Sequence, residues 1–309
     1  GHGEIRIVHY VFYQEAEGMD LINAIIMGLV QGIAEFLPIS SSGHLAIMKQ
    51  ILHMNTDTGL LFDVLLHLGT LAAIFIAFWK DIKELIVEGF KIVGDFLVNC
   101  ARFIKNLGAS KKVEYKKMVT TTYRRFVMLV IVSSIPTGIL GILFKDAFEQ
   151  AGATLLVPGL CLILTSILLM IADRAPIGKK TEGNATYKDA ALIGLAQGIS
   201  ILPGLSRSGT TITASLLRGF DRSFAVKYSF IMSIPAVLGA AMVELKDFKP
   251  DMVASSQLIN YIIGTTIAGI VGYICIKTML VIVKGKKFKY FAYYCFTVGI
   301  LAVVAHFAI

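Results

Sequence analysis

Residues 28–43 read GLVQGIAEFLPISSSG, and residues 194–209 read GLAQGISILPGLSRSG. The two stretches align without a gap at a shift of 166 residues and are identical at eight of 16 positions. A duplication of this kind is typical of membrane proteins that are built from two related halves. It decides how the remainder of the chain is interpreted.

The composition of the chain indicates a membrane protein. Of its 309 residues, 56% are hydrophobic and 16% are charged, and the mean hydropathy is +0.73, whereas soluble domains are about 25% charged. An apolar helix of about 20 residues spans the roughly 30 Å of a bilayer core. Six segments meet this condition and predict complete spans, at about 58–79, 126–144, 155–172, 224–243, 258–283 and 290–309. The chain is therefore predicted to be an all-α polytopic membrane protein, not a soluble enzyme or a membrane β-barrel.

Two further apolar segments, 21–52 and 190–217, are interrupted. In the second, only 13 residues precede Pro203-Gly204, so its first arm reaches about 20 Å and cannot cross. If this segment turns back, the connections on one side of the membrane contain 21 Lys and Arg residues and those on the other contain three, as the positive-inside rule requires.

The repeat extends this interpretation to the first interrupted segment. Each copy is followed by three complete spans, and an odd number of spans makes the second copy enter from the opposite face. We therefore predict six transmembrane helices plus two re-entrant helical hairpins, arranged as an inverted-topology repeat whose hairpins meet near the bilayer midplane.

The domain organisation follows from the same pattern. Residues 1–18 precede Met19 and are interpreted as a leader added for expression. Residues 19–309 are predicted to form a single integral-membrane domain, with inverted repeats at about 20–172 and 190–309. The amphipathic, basic connection at about 80–125 is expected to lie along the cytoplasmic interface.

The charge and the cysteines exclude other classes of site. The net charge of +8 is assigned to basic loops that face anionic lipid, so no nucleic-acid partner is expected. The four cysteines lack the spacing of a zinc site or a disulfide framework. The chain also lacks GxxxxGK[ST], which excludes a P-loop motor.

The first hairpin contains an acidic and hydroxyl-rich stretch. Gln31 and Glu35 are four residues apart and share a helix face, and a carboxylate at membrane depth costs several kcal/mol unless it is paired, hydrated or bound to a metal. Glu35 is therefore a cation ligand, a general base or one half of a structural ion pair. The run from Ser40 to Gly43, which includes Ser41 and Ser42, offers an anion cradle or merely a tight turn. His44, which follows it, is a candidate for nucleophilic attack or proton transfer.

The second hairpin contains Arg207, which replaces Ser41 of the first copy. A guanidinium matches phosphate oxygens bidentately, although an Arg207–Glu35 ion pair without a substrate is the structural alternative. Its neighbours add hydroxyl and backbone donors: Ser206, Ser208, Gly209 and Thr210. Together the hairpins predict a pocket for a di- or polyphosphate accompanied by a divalent cation.

Other polar residues of the spans carry less weight. Asp63 and His67 either support the site or form a helix-stabilising pair, which is the favoured interpretation. Lys227 is expected to snorkel towards the interface. The two GxxxG matches, at Gly28 and Gly194, are typical of close helix packing.

Two motifs in this sequence resemble the undecaprenyl-pyrophosphate phosphatase, or bacitracin-resistance, family. The first is carried by Gln31, Glu35, Pro38, Ser40, Ser41, Gly43 and His44, and the second by Pro203, Gly204, Ser206, Arg207, Ser208 and Gly209. The resemblance covers residues 19–309. It implies hydrolysis of a polyprenyl pyrophosphate lipid to the monophosphate and phosphate, which recycles the carrier of cell-wall synthesis in the bacterial plasma membrane. Many members have Glu at the position of Gln31, so Glu35 is the only carboxylate of the motif here.

The residues and the resemblance together predict a mechanism. Mg²⁺ or Ca²⁺ would be held by Glu35 with Gln31, Arg207 would clamp a phosphoryl group, and the two serine loops would supply further donors. The attacking group is Ser41, His44 or water, and Ser41 assisted by His44 is favoured. The pocket is expected to open to the outer face.

A transporter or flippase for a phosphorylated lipid or an anion is the alternative function, because inverted repeats with broken helices are common in transporters and the fold alone does not decide. The membrane acid phosphatases match in part, but Thr213 stands where their motif needs a histidine. The bilayer is an expected partner, and a homodimer is left open.

Overall fold

The computed structural model describes residues 20–51, 56–108, 111–152, 154–246 and 255–308. The predicted leader at residues 1–18 lies outside this range. Within the described residues the regular structure consists of helices, joined by irregular connections, and one isolated bridge links Lys180 and Phe220. Its helices are α1 (Leu21–Phe36), α2 (Ser41–Ile51), α3 (Thr56–Ala77), α4 (Trp79–Asn106), α5 (Thr122–Leu143), α6 (Lys145–Ala151), α7 (Leu156–Arg174), α8 (Tyr187–Ile199), α9 (Arg207–Leu217), α10 (Arg222–Glu244), α11 (Ser255–Ile282) and α12 (Phe288–Ala308).

The long apolar helices coincide with the predicted spans. Five helices, α5, α7, α10, α11 and α12, are long and apolar enough to cross a bilayer. A sixth candidate is the pair α3 and α4, which meet the length and hydropathy condition together and are bent by 91° at their junction. The prediction of an all-α polytopic membrane protein is thus confirmed.

The amphipathic connection forms α4, which leaves the end of α3 almost at a right angle. Its apolar side chains are largely exposed, Phe90 at 75% and Leu97 at 62%, whereas Glu88 is paired with Lys91 and with Arg124 of α5. The hydrogen bonds from Lys91 and Arg124 hold the pKa of Glu88 below its ordinary value. An exposed apolar face beside a paired polar face suits a helix that lies in the interface.

The two interrupted segments are broken where the repeat predicts. The first consists of α1 and α2, with 16 and 11 residues, and the second of α8 and α9, with 13 and 11 residues. At 1.5 Å per residue, α1 and α8 reach about 24 and 20 Å, short of a complete crossing. That each segment returns to the membrane face from which it enters, and that the repeats are inverted, stay predictions.

Helix packing follows the repeat. The helix α1 packs against α11, and its counterpart α8 packs against α5, so the first arm of each hairpin contacts the second span of the other half. A Cβ atom added to Gly28 would lie 2.4 Å from the carbonyl oxygen of Gly264, and one added to Gly194 would lie 2.0 Å from that of Ser133. The GxxxG matches are therefore sites of close backbone approach, as the sequence predicts.

A buried carboxylate joins the two ends of the second hairpin that are remote from its break. Asp189 of α8 is fully buried and pairs with Lys180 at 2.8 Å and with Arg218, just after α9, at 2.7 Å. It also closes a capping box with Thr186. The two arms of this hairpin are thereby held together at the ends that lie away from the break.

Candidate active site

The two serine loops have the same internal hydrogen bonds. Ser40 Oγ accepts a hydrogen bond from the backbone N–H of Gly43 at 3.2 Å, and Ser206 Oγ accepts one from Gly209 at 3.1 Å. In each loop the serine two residues further along, Ser42 or Ser208, has its Oγ 3.3 Å from that of the first serine. Each arrangement satisfies an N–H of the first helical turn, so the sequence repeat is a repeat of loop structure.

The loops are in direct contact with each other. The backbone N–H of Gly204 donates to Ser42 Oγ at 3.3 Å, and Ser208 Oγ donates to the carbonyl oxygen of Leu37 at 3.5 Å. Gly204 has a φ of +88°, and a Cβ there would lie 2.3 Å from the carbonyl oxygen of Pro158. Only glycine fits this position, since both the backbone conformation and the space exclude a side chain.

Contact between the loops brings opposite charges together. The Arg207 guanidinium, through Nη2, pairs with Oε1 of Glu35. Glu35 is only 5% exposed, and an unpaired carboxylate at such a position would be strongly unfavourable. The predicted meeting of these two residues is present, with one contributed by each hairpin.

The second oxygen of Glu35 is bound by two donors from its own hairpin. Ser41 Oγ donates to Glu35 Oε2 at 2.7 Å, and Gln31 Nε2 donates to the same oxygen at 3.1 Å. Ser41 is the first residue of α2 and is the counterpart of Arg207. The Glu35 carboxylate therefore binds both Ser41 and Arg207, which occupy equivalent positions in the two copies of the repeat but differ in residue type.

His44 lies at the same loop but has other partners. Its Nδ1 is 2.8 Å from the carbonyl oxygen of Ser40, which makes Nδ1 the donor, and its Nε2 is 2.8 Å from the hydroxyl of Tyr294. The rings of His44 and Tyr294 are stacked with centroids 5.5 Å apart. The structure does not bring His44 into hydrogen-bond contact with Ser41, so the expected assistance of Ser41 by His44 is replaced by a Ser41–Glu35 hydrogen bond.

Three buried polar atoms of the site have no hydrogen-bond partner. They are Gln31 Oε1, Arg207 Nη1 and Thr210 Oγ1. Buried polar atoms are nearly always satisfied, and these three belong to residues that the sequence assigns to the site. These atoms are one acceptor, one cationic donor and one hydroxyl. They are thus available to a ligand that has anionic oxygens and is accompanied by a cation.

The donor set for a metal is small. Within the described residues, no group of three or more His, Cys, Asp and Glu side chains could hold a metal ion. Gln31, the other predicted ligand, turns Nε2 rather than Oε1 towards Glu35, so the two oxygens are not directed at one position. Glu35 alone fits Mg²⁺, which is commonly bound by one or two carboxylates, by water and by substrate phosphates.

Some residues near the site were not singled out by the motifs. Thr165 of α7 accepts from the backbone N–H of Ser206 at 3.0 Å and so positions the second loop. Tyr294 belongs to α12, and no sequence pattern distinguishes it from its aromatic neighbours. Of the residues given less weight, His67 contacts Gln31, whereas Asp63 pairs with Lys49. The favoured Asp63–His67 pair is not observed.

Lys227 was expected to snorkel towards the interface. Its ammonium lies 3.0 Å from Asp81 Oδ1 and 3.8 Å from Glu182 Oε1. It also lies 5.9 Å from the ring centroids of Phe126 and Phe224. Lys227 thus joins a polar cluster with α4 and with the connection that precedes α8, and it is not part of the site.

Comparison with known proteins agrees with this geometry. The family described as bacitracin resistance protein BacA matches residues 24–301, a stretch that includes both serine loops. The chain belongs to this family.

Relatives cover nearly the whole chain. A protein of Methanosphaera stadtmanae named undecaprenyl-diphosphatase is 41% identical over 93% of this chain and 98% of its own length. Proteins of the same name from Methanobrevibacter smithii and Halothermothrix orenii are 40% and 38% identical, over 92% and 93% of this chain and 96% and 98% of their own lengths. The family membership agrees with the resemblance that the two motifs indicate.

Proposed function

We propose that this protein is an undecaprenyl-diphosphatase: a membrane-embedded hydrolase that converts undecaprenyl pyrophosphate to undecaprenyl phosphate and inorganic phosphate. Such a reaction recycles the lipid carrier of cell-wall synthesis. The observation that carries the proposal is the Ser41–Glu35–Arg207 arrangement, a hydroxyl and a guanidinium bound to opposite oxygens of one buried carboxylate. The relatives named undecaprenyl-diphosphatase support the substrate class.

In the first step, the Ser41 hydroxyl attacks the terminal phosphorus. A bond forms between Ser41 Oγ and phosphorus, the bond to the bridging oxygen breaks, and undecaprenyl phosphate leaves. The hydroxyl proton passes to Glu35, to which it is already hydrogen-bonded. Arg207, whose Nη1 has no partner, binds phosphate oxygens and stabilises the charge that develops on them.

In the second step, water attacks the phosphorus of the phosphoserine. The new P–O bond releases Ser41 Oγ, which takes its proton back from Glu35, and the proton of the water passes to His44. His44 is three residues from Ser41 on α2 and therefore shares its helix face. Its Nε2 is the accepting nitrogen, since Nδ1 donates to Ser40.

A divalent cation, Mg²⁺ or Ca²⁺, fits this site beside the substrate. Glu35 would hold it together with phosphate oxygens of the substrate, and bound there it would neutralise charge on the diphosphate. The serine loops add donors for the phosphate oxygens, from Ser40, Ser42, Gly43, Ser206, Ser208, Gly209 and Thr210. The isoprenoid tail would leave between the spans into the lipid.

We propose that the protein lies in the plasma membrane with this pocket open to the outer side. Support comes from two polar residues of α3: Asp63 in its N-terminal half and His67 at its midpoint. His67 contacts the site, and Asp63, one turn earlier, pairs with Lys49 of α2. On the orientation that the basic loops favour, this half of α3 faces outward.

The direct test is phosphate release by purified protein in detergent supplied with undecaprenyl pyrophosphate and Mg²⁺. Ser41→Ala should lower kcat by at least about 10³-fold, because it removes the attacking oxygen. The matched control is Ser134→Ala, a half-buried serine of α5 that donates only within its own helix. It should retain activity within about twofold.

Two outcomes would contradict the proposal. Wild-type protein that releases no phosphate, yet moves the lipid between leaflets of sealed vesicles, would favour the transporter. Phosphate release that survives Ser41→Ala would leave the reaction but remove Ser41 as the nucleophile.

A further inference from the structure

His67 contacts the site from a helix that carries neither motif. It lies on α3, and its Nδ1 is 3.0 Å from Gln31 Nε2 and 3.7 Å from Glu35 Oε2. Gln31 is completely buried, and its amide nitrogen lies between the carboxylate and the imidazole. The four side chains Ser41, Glu35, Gln31 and His67 therefore form a continuous hydrogen-bonded chain.

The hydrogen-bonding groups in this chain leave a single consistent arrangement. The Glu35 carboxylate oxygens only accept, so the amide of Gln31 turns its nitrogen, which only donates, towards Glu35 Oε2. The second hydrogen of the same NH₂ group then points to His67 Nδ1, which must be the accepting nitrogen of a neutral ring. The proton of His67 is thus on Nε2, and Gln31 Oε1 is turned away from Glu35.

We propose that His67 is a positioning residue for catalysis: by accepting from Gln31, it fixes the orientation of the amide that holds Glu35 Oε2 towards Ser41. Without an acceptor at this position, one hydrogen of a buried NH₂ group would be unsatisfied. Rotation of the amide would then place its oxygen against Glu35 Oε2, where two acceptors repel each other. This inference rests on the proposed function, in which Glu35 receives the proton of Ser41.

Two substitutions at His67 separate positioning from proton transfer. In His67→Asn, the side-chain oxygen can take the place of Nδ1 as the acceptor, although the amide cannot carry a proton. In His67→Leu, the volume is similar but the acceptor is lost. We expect His67→Leu to lower kcat by about tenfold or more, with KM changed by less than about threefold, since it leaves a buried donor of Gln31 unsatisfied. His67→Asn should retain at least about a third of wild-type kcat.

The pathway through Gln31 is tested by a double-mutant cycle. In a Gln31→Leu background, His67 has no amide to orient, so adding His67→Leu should change kcat by less than about twofold. The melting temperatures of all variants, measured in the same detergent, identify any that are misfolded. His67→Asn and the cycle both remain informative if His67→Leu alone is unstable.

Either of two results would overturn the inference. One is a His67→Asn variant as inactive as His67→Leu, which would indicate that the imidazole itself carries a proton. The other is a cycle in which the two substitutions act independently. Both results are distinct from a failure of the proposed function, which would instead appear as wild-type protein that releases no phosphate.

Discussion

At the scale of single residues, Glu35 is the centre of the site because each of its oxygens has a separate task. Oε1 pairs with Arg207 from the opposite hairpin, and Oε2 accepts from Ser41. In the proposed mechanism, a phosphate binds the unpartnered Nη1 of Arg207 while Nη2 stays with Glu35 Oε1, and Oε2 accepts the proton of Ser41.

Replacing Arg207 by lysine tests this division. A lysine ammonium keeps the positive charge but cannot contact Glu35 and a phosphate through a planar fork. We expect Arg207→Lys to lower kcat/KM by about 10²–10³-fold in the phosphate-release assay. Arg102→Lys on α4, remote from the site, should retain activity within about twofold; equal losses in the two variants would contradict a specific role for Arg207.

The sequence predicted some of these residue contacts and missed others. The repeat aligns the two loops, and charge balance at membrane depth then pairs Glu35 with Arg207. The partner of Ser41 could not be predicted, because it depends on how the chain turns between α1 and α2, where Ser40 adopts a φ of +73°. His67 was difficult to assign because contact with Gln31 is set by the packing of α3, not by a local spacing.

At the scale of helices, close packing of α8 on α5 and of α1 on α11 holds the hairpins in place. Hydropathy predicted the spans to within a few residues, since apolar length is a property of the local sequence. An interfacial connection after the first span implies a change of direction, but the position of the 91° bend between α3 and α4 was not predicted, because no proline or glycine marks it.

Two glycine substitutions test the packing of these helices, because they are expected to shift the melting temperature in opposite directions. Alanine normally favours a helix over glycine by about 1 kcal/mol. Gly138→Ala on α5 has no atom within 4 Å of the added Cβ, so we expect its melting temperature to be unchanged or raised. Gly194→Ala should lower the melting temperature, because its Cβ would lie 2.0 Å from the Ser133 carbonyl oxygen. Equal shifts in the two variants would contradict close contact of α8 with α5.

At the scale of the whole molecule, the two halves of the chain are expected to have opposite orientations in the membrane. The first arm of each hairpin packs on the other half of the chain, as a two-fold relation requires. Lys and Arg residues concentrate in the connections between α3 and α5, α7 and α8, and α11 and α12. These connections should therefore share the cytoplasmic side.

Labelling of single cysteines tests this orientation in cells. In a variant whose native Cys100, Cys161, Cys275 and Cys295 are replaced, Gln150→Cys at the end of α6 should react with a membrane-impermeant maleimide in intact cells. Lys179→Cys, between α7 and α8, should react only after permeabilisation. Both positions are exposed, so the reverse pattern would contradict the orientation.

The central claim is that the two hairpins together bind one diphosphate through the Glu35–Arg207 ion pair. Its most direct test is a comparison of kcat/KM for Glu35→Gln, Arg207→Gln and the double variant. Groups that act as a unit lose their function together. Each single substitution should lower kcat/KM by at least about 10²-fold, and the double variant should be no more than about threefold below the weaker single variant. Losses that multiply, or a single variant with near-wild-type activity, would contradict the account.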